Sequence, residues 1–172
     1  MENTGLTGVE RLVKDDEIIV SKTDTKGRIT YCNEGFMRIA GYRESELLGQ
    51  PHNVVRHPAM PRCVFKMLWD TIESGKEIFA YVVNRAKSGD HYWVFAHVTP
   101  DFDGNGKIIG YHSFRRSVDR RVLAVIEPLY ARLLAEENRH SDRKAGMDAA
   151  VTLLVSLLAE KGITYDRFVL TL

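Results

Sequence analysis

Hydrophobic and polar positions follow a strand-like pattern near the start of the chain. Residues 17–23 are rich in β-branched side chains, and residues 28–32 alternate polar and apolar positions. Between them lies the segment Asp24 to Gly27, which places a glycine where a tight turn needs positive φ. This pattern predicts a β-hairpin.

Helical spacing replaces the alternation in two segments. Asn33 is a suitable N-cap for a short helix that ends at Gly41. Pro61 suits the first position of a longer helix, and Gly75 supplies its stop. The apolar positions of that longer helix recur on one face, at Val64, Phe65, Leu68, Trp69 and Ile72.

Three more strands are predicted, at residues 77–84, 91–99 and 107–118. Residues 100–106, between the last two, are rich in turn formers and predict a loop. With the hairpin and the helices, these strands give an α+β fold class. We expect a five-stranded antiparallel sheet with short helices gathered on one face.

The last third of the chain changes to helix. Two apolar stripes follow Asp119, the first interrupted or kinked at Pro128, with a polar linker at residues 136–143. Residues 164–172 fit a strand as well as a helix. The stripes comprise Val122, Leu123, Ile126, Leu129, Tyr130, Leu133 and Leu134, then Met147, Val151, Leu154, Leu157 and Leu158.

The change of pattern divides the chain into three parts. We predict an N-terminal cap at residues 1–16, an α+β domain at residues 17–118 and a C-terminal helical extension at residues 119–172. The 172 residues are enough for one core of ordinary size with a helical appendage.

Composition narrows the classes of partner and compartment. The 44% hydrophobic and 27% charged residues are those of a soluble globular protein, and a net charge of +1 gives no broad field for nucleic acid. No apolar run approaches the roughly 20 residues of a membrane span, and residues 1–16 lack a signal-peptide core. Cys32 and Cys63 have no metal-ligand spacing. We expect a cytoplasmic protein with reduced thiols and no membrane span.

Two polar segments, at residues 51–61 and 84–93, are the candidate binding elements. Arg56 and His57 precede a proline that restricts the backbone, and arginine offers a fork of donors to a phosphate. The alternative is a surface loop with an incidental basic pair. Asn84 both donates and accepts, which suits the amide edge of a flavin ring, although a turn-capping role is equally compatible with its position.

Strand alternation predicts a hollow beside the sheet. In an extended segment 91–98, Trp93 shares one face with its alternate neighbours, and the small side chains of Val94 and Ala96 lie on the other face. Small residues with aromatic neighbours would leave space for a flat ring system. The alternative is that Val94 and Ala96 simply pack against the helix stripe.

Catalytic and metal chemistry have no clear signature. His52 and His57 allow a haem or metal ligand, but neither a carboxylate nor a cysteine completes a recognisable metal set. The sequence has no GxSxG, HExxH or P-loop motif. We therefore predict a sensor and not an enzyme, with no catalytic and no metal-binding residues.

Residues 17–118 resemble a PAS domain, and specifically the FAD-binding PAS domains of bacterial aerotaxis and energy-taxis receptors. The resemblance to this receptor branch rests on residues 49–61, which include the Arg-His-Pro motif, and on residues 84–93. The receptor branch often has aspartate where this chain has Ala59. The general PAS signature comprises Thr23, Asp24, Gly27, Ile29, Tyr31, Asn33, Phe36, Gly41, Tyr42, Glu46, Leu47, Gly49, Gly89, Asp90 and Trp93.

The resemblance implies a PAS fold and a redox or oxygen sensor that binds FAD noncovalently. Asn84 also matches an asparagine of flavin-binding light-oxygen-voltage domains, but their photoactive Gly-x-Asn-Cys-Arg motif is absent, so light-driven adduct chemistry is not expected. The predicted cofactor-binding residues are Asn33, Arg56, His57, Phe65, Trp69, Asn84, Trp93 and Arg115.

Receptors of this branch continue into a membrane anchor and a signalling coiled coil, neither of which is found in this sequence. We therefore expect a homodimer that signals to a partner protein in trans, of the chemoreceptor or kinase type. Two alternatives remain open: a PAS gas sensor with haem on His57 or another histidine, and a ligand-free dimerisation or docking module that uses residues 122–158.

Overall fold

The computed structural model describes residues 5–172, so the first four residues of the predicted N-terminal cap lie outside it. A five-stranded antiparallel sheet with strand order β2-β1-β5-β4-β3 forms the centre, which confirms the predicted α+β plan. The strands are β1 (Ile19–Asp24), β2 (Ile29–Cys32), β3 (Ile78–Arg85), β4 (His91–Phe102) and β5 (Ile108–Arg116).

Short helices follow β2 and cover one face of the sheet, and three further helices follow β5. A 3-10 turn at His52–Val55 lies between the second and third of the helices listed next. The helices are α1 (Glu34–Ala40), α2 (Glu44–Leu47), α3 (Arg62–Glu73), α4 (Arg120–Asn138), α5 (Arg143–Glu160) and α6 (Tyr165–Leu170).

The first hairpin and helix form for the reasons that the sequence predicted. Gly27 has φ of 73° at the turn between β1 and β2. The Asn33 side chain caps α1 by accepting from Phe36 N at 3.0 Å, and Gly41 closes the helix in the left-handed conformation. Pro61 is the N-cap of α3, one position before the first helical residue.

The sheet is buried on both faces at its β3–β4 side. On the face away from α3, the Tyr130 hydroxyl of α4 donates to Tyr81 O at 2.6 Å, and the Tyr81 hydroxyl donates to Val169 O of α6 at 3.2 Å. The rings of Trp93 and Tyr130 are 6.1 Å apart. The C-terminal helices therefore pack directly on the α+β domain.

The structure corrects or decides three local expectations. Strand β4 continues through Pro100 to Phe102, where a loop was predicted. This is possible because β3 begins at Ile78, opposite Val98, and leaves the proline nitrogen on a free edge. Helix α4 passes through Pro128 without the interruption that was considered, and residues 164–172, which fitted a strand as well as a helix, contain the helix α6.

The segment before β1 is extended and bound to the β3–β4 turn. Arg11 donates to Asp90 at 2.8 Å, to Ser88 Oγ at 3.0 Å and to Ile39 O at 3.1 Å. A backbone bridge joins Glu10 to His91 at the start of β4. These contacts fix the described part of the N-terminal cap beside the turn.

Candidate functional site

A cavity of about 520 Å³ lies between the sheet and α3. Its volume is within the range of roughly 300–1,000 Å³ that is usual for small-molecule sites. The sheet contributes Ser21, Thr23, Val82, Asn84, Ala96, Val98, Tyr111, His112, Ser113 and Arg115; α3 contributes Arg62, Phe65, Lys66, Leu68, Trp69, Asp70 and Ile72; and other segments contribute Lys26, Gly27, Pro51, His52, Asn53, Arg56 and Met147.

Small side chains of the sheet and aromatic side chains of α3 both line the cavity. Ala96 and Val98 are alternate residues of β4 and both face the cavity. Their side chains are small, so they leave space between the sheet and α3. Trp69 packs edge-on against Tyr111 with ring centroids 5.4 Å apart. A Cβ at Gly27 would lie 2.9 Å from the Trp69 ring, so the glycine leaves room for the indole.

Arg56 and Asn84 lie together on one side of this cavity. A backbone bridge links the two residues, and the Arg56 guanidinium lies over the Phe65 ring at 4.5 Å. Burial lowers the pKa of Arg56, although Glu137 acts in the opposite direction. Asn84 is 4% exposed, and no described residue forms a hydrogen bond with its side-chain amide.

Arg115 is a buried cation on the cavity floor. It is 3% exposed and lies over the Phe36 ring at 4.5 Å, and its Nη2 donates to Ser21 Oγ. Its Nε and Nη1 have no hydrogen-bond partner among the described residues. Burial lowers the pKa of Arg115 to about 10, so the guanidinium remains charged near neutral pH.

His52 completes this group of polar side chains. Its ring is stacked on Phe36 at 5.7 Å, and its Nε2 lies 3.0 Å from Ser21 Oγ. Because the Ser21 oxygen accepts from Arg115, its own hydrogen is available to Nε2, which is then the unprotonated ring nitrogen. Burial, and next Arg115, lower the pKa of His52 to about 3.

The lowered pKa of His52 predicts a specific dependence of stability on pH. In the unfolded chain its pKa returns to about 6.5, so between about pH 6.5 and 3 the unfolded state binds a proton that the folded state does not. We expect the free energy of unfolding of the wild type, relative to His52→Asn, to fall as pH falls through this window. Urea unfolding of both proteins at several pH values measures this difference in the free energy of unfolding. A difference that does not change with pH contradicts the prediction.

The structure brings five of the eight predicted ligand residues to the cavity: Arg56, Phe65, Trp69, Asn84 and Arg115. Asn33, His57 and Trp93 lie elsewhere, and their predicted contact with a ligand in this cavity has no support from their positions.

Each of these three residues has another role. Asn33 uses both ends of its amide for the backbone, with Nδ2 donating to Ile18 O at 2.8 Å. Trp93 is on the opposite face of the sheet, beside α4. His57 lines a second cavity of about 460 Å³, and its Nδ1 accepts from Ala59 N at 3.1 Å.

This second cavity lies where α3, α4 and α5 meet, and it contains a buried carboxylate. Glu137 of α4 is 1% exposed and accepts from Arg62 Nε at 2.9 Å and from Cys63 N at 2.8 Å. It therefore caps the start of α3, which has no side-chain cap of its own. Burial and Glu137 raise the pKa of the Cys63 thiol to about 12, so this cysteine remains a thiol.

Sequence reasoning missed Ser21 and Glu137, and it considered His52 only as a metal ligand. Two patterns in the sequence could have pointed to Ser21 and Glu137. Ser21 follows Ile19 at strand spacing on the buried face of β1, and Glu137 continues the helical spacing of Tyr130 and Leu133. A polar residue in an apolar stripe indicates a buried partner, but the pattern does not identify that partner.

Comparison with known proteins gives the family. The family model described as PAS fold matches residues 29–115, about half of the chain. The chain belongs to the PAS family. Its PAS domain is of the aerotaxis-receptor type, as the motifs predicted: the chain is 45% identical over 121 residues to the aerotaxis receptor of Escherichia coli (strain K12), which covers 70% of this chain and 24% of the receptor.

The chain is also similar to a second curated protein and to a solved structure. The chain is 27% identical over 107 residues to the nitrogen fixation regulatory protein of Klebsiella pneumoniae, covering 62% of this chain and 22% of that protein. The dark structure of the blue-light photoreceptor Aureochrome1 LOV superposes with a TM-score of 0.56 at 23% identity, over 62% of this chain and 80% of that one, which shows the fold.

The PAS chain spans about a quarter of the length of the curated relatives reported above. Within residues 5–172, none of the helices is both long enough and apolar enough to cross a bilayer.

Proposed function

We propose that this PAS domain is a sensor that binds FAD noncovalently in the cavity between the sheet and α3 and responds to redox state or oxygen. The observation behind the proposal is Arg115, whose Nε and Nη1 are buried without a partner among the described residues and which lines the cavity together with the buried Asn84. Buried polar groups in native proteins are nearly always paired, so these groups indicate a polar ligand.

The chemistry of the lining suits an isoalloxazine ring. Phe65 and Trp69 provide flat apolar surface on the α3 side of the cavity. Ala96 and Val98 provide small side chains on the sheet side. The Asn84 amide supplies a donor and an acceptor to the amide–imide edge of a flavin, which has both kinds of group. A flavin would supply reversible electron transfer to this site.

The rim of the cavity suits a phosphorylated tail. Lys26 and Asn53 are exposed at the rim, and Lys66, which also lines the cavity, pairs with Asp70 at 2.6 Å. Two lysines and an amide are suited to the diphosphate of FAD, whereas riboflavin has no charged group to use them. This is the feature that favours FAD over an unphosphorylated flavin.

The proposed output passes through the elements that touch the cavity. Arg56 and Arg62 line both cavities, and Arg62 also binds Glu137 of α4. A change in charge at the ligand would alter the position of these arginines and hence the contact with the C-terminal helices. We propose that a homodimer presents those helices to a partner protein of the chemoreceptor or kinase type.

The absorption spectrum of freshly purified protein tests the proposed cofactor. We expect the two bands of a bound flavin in the near-ultraviolet and blue, or their appearance when FAD is added to colourless protein. A colourless sample that does not take up FAD contradicts the proposal. An intense Soret band instead identifies haem.

Asn84→Ala tests the polar edge of the site. We expect FAD to bind about tenfold more weakly, because the loss of a hydrogen-bonded pair to the ring costs about 1–2 kcal/mol. Fluorescence titration measures the Kd, and Asn105→Ala, in the turn between β4 and β5, is the control that should bind as the wild type does. Equal affinities for all three proteins contradict the role given to Asn84.

A further inference from the structure

Arg115 has no counter-ion in the part of the chain that the structure describes. Its hydrogen bond is to Ser21 Oγ, its guanidinium lies 4.5 Å over the Phe36 ring, and its Nε and Nη1 are buried without partners. A buried arginine in a protein is normally paired with a carboxylate, because an isolated buried charge is costly. The charge of Arg115 is therefore left without an opposite charge among the described residues.

The groups that surround Arg115 are neutral near pH 7. His52, from the 3-10 turn, has a pKa lowered to about 3 by burial and by Arg115. Burial raises the pKa of Cys32 of β2 and of the Tyr92 hydroxyl of β4 above their usual values, so both stay protonated. Burial lowers the pKa of His112 of β5 below its usual value, which favours its neutral form, and Ser21 and Phe36 carry no charge. The cavity floor thus has one fixed positive charge and no negative charge to offset it.

We propose that Arg115 is the counter-charge of the reduced cofactor and raises the midpoint potential of the bound flavin. This inference rests on the proposed binding of a flavin in the same cavity. The oxidised ring is neutral and gains hydrogen bonds from the guanidinium, whereas a reduced anionic ring gains the full charge–charge attraction in a site of low dielectric constant. The residue therefore favours the reduced form over the oxidised form.

Reduction of the bound ring takes up two electrons and one proton. An external reductant, dithionite in the experiment, supplies two electrons, and solvent supplies one proton. The ring then bears one negative charge, which Arg115 offsets; no bond of the protein forms or breaks. Retention of the guanidinium proton is consistent with its pKa, which stays at about 10 in spite of burial.

Arg115→Gln tests the role of the charge. The amide keeps hydrogen-bonding capacity, so we expect oxidised FAD to bind within about tenfold of the wild type, and the preference for reduced over oxidised FAD to fall at least tenfold. For a two-electron couple that fall lowers the midpoint potential by about 30 mV or more. Arg115→Lys, which retains a cation, should keep most of the wild-type potential. Arg116→Gln, on the other face of the sheet over Phe95, should have no effect.

The measurement is a dithionite titration of FAD-loaded protein with a reference dye, together with the Kd of oxidised FAD. An unchanged potential in Arg115→Gln that still binds FAD overturns the inference and leaves the proposed function intact. Failure of the wild type to bind FAD overturns both.

The wild type gives a second test in case Arg115→Gln does not fold. One proton per two electrons predicts that the potential falls by about 30 mV per pH unit near pH 6, because each tenfold change in proton concentration then shifts the couple by that amount. A slope of about 59 mV, which corresponds to two protons, contradicts a reduced anion beside Arg115.

Discussion

Ala96→Phe abolishes flavin binding while the protein remains folded, if the cavity holds the ring as proposed. Ala96 is 3% exposed and lies on the cavity side of β4, between Ala80 of β3 and Arg115 of β5 in the sheet register. A benzyl group at this position fills the space between the floor and the α3 wall. We expect FAD affinity to fall more than about a hundredfold, equivalent to about 3 kcal/mol.

The control for Ala96→Phe is stability measured without ligand. Filling a cavity with an apolar group commonly adds up to about 2 kcal/mol to the free energy of unfolding, so the variant should unfold at the same urea concentration as the wild type or higher. Ala96→Val, which fills less of the space, should reduce affinity by a smaller factor. Wild-type affinity in a folded Ala96→Phe protein shows that the ligand lies elsewhere.

Glu137→Ala is expected to have the largest effect on stability. The substitution removes the carboxylate that accepts from Arg62 Nε and Cys63 N. The Arg62 side chain, which is 22% exposed, is then left without its ion-pair partner. Loss of one partner from a buried ion pair costs about 3–5 kcal/mol, and partial exposure of Arg62 favours the lower end of that range. We expect α4 to separate from the start of α3 before the sheet unfolds.

Urea unfolding and hydrogen exchange measure the effect of Glu137→Ala, and the amide of Cys63 should lose its protection first. Glu137→Gln retains the acceptor oxygen without the charge and should lose less stability. Glu136→Ala is the matched control, since its carboxylate pairs with the exposed side chains of Arg139 and His140 at the surface. Equal stability of Glu137→Ala and Glu136→Ala contradicts the docking role.

Local patterns predicted the elements that depend on local physics. The hairpin at Gly27 and the N-cap at Asn33 followed from backbone geometry and side-chain reach, which neighbouring residues determine. The stripe on α3 likewise identified Phe65 and Trp69 as residues on one helix face. These features needed no knowledge of distant contacts.

Features that depend on distant partners were not predictable. Glu137 was assigned to a polar linker, yet its partner Arg62 lies 75 residues earlier in the chain. Ser21 was taken as part of a hairpin strand, and its contacts with Arg115 and His52 depend on the order of strands in the sheet. The spacing of residues along the sequence does not predict contacts between residues that are this far apart in the chain.

Trp93 illustrates a conflict between two kinds of inference. Strand alternation placed it on the face opposite Ala96, whereas the motif resemblance named it as a ligand residue. The structure follows the alternation, with Trp93 packed near Tyr130 of α4. Its position gives Trp93 a packing role, and its assignment as a ligand residue rests on the motif resemblance alone.

Equilibrium titration of ligand-free protein with FAD, with Ala96→Phe titrated in parallel, tests whether the cavity between the sheet and α3 holds the cofactor. We expect saturable binding of one FAD per chain to the wild type and none to the variant over the same concentration range. Absence of saturable binding to folded wild-type protein, or equal binding to both proteins, contradicts it.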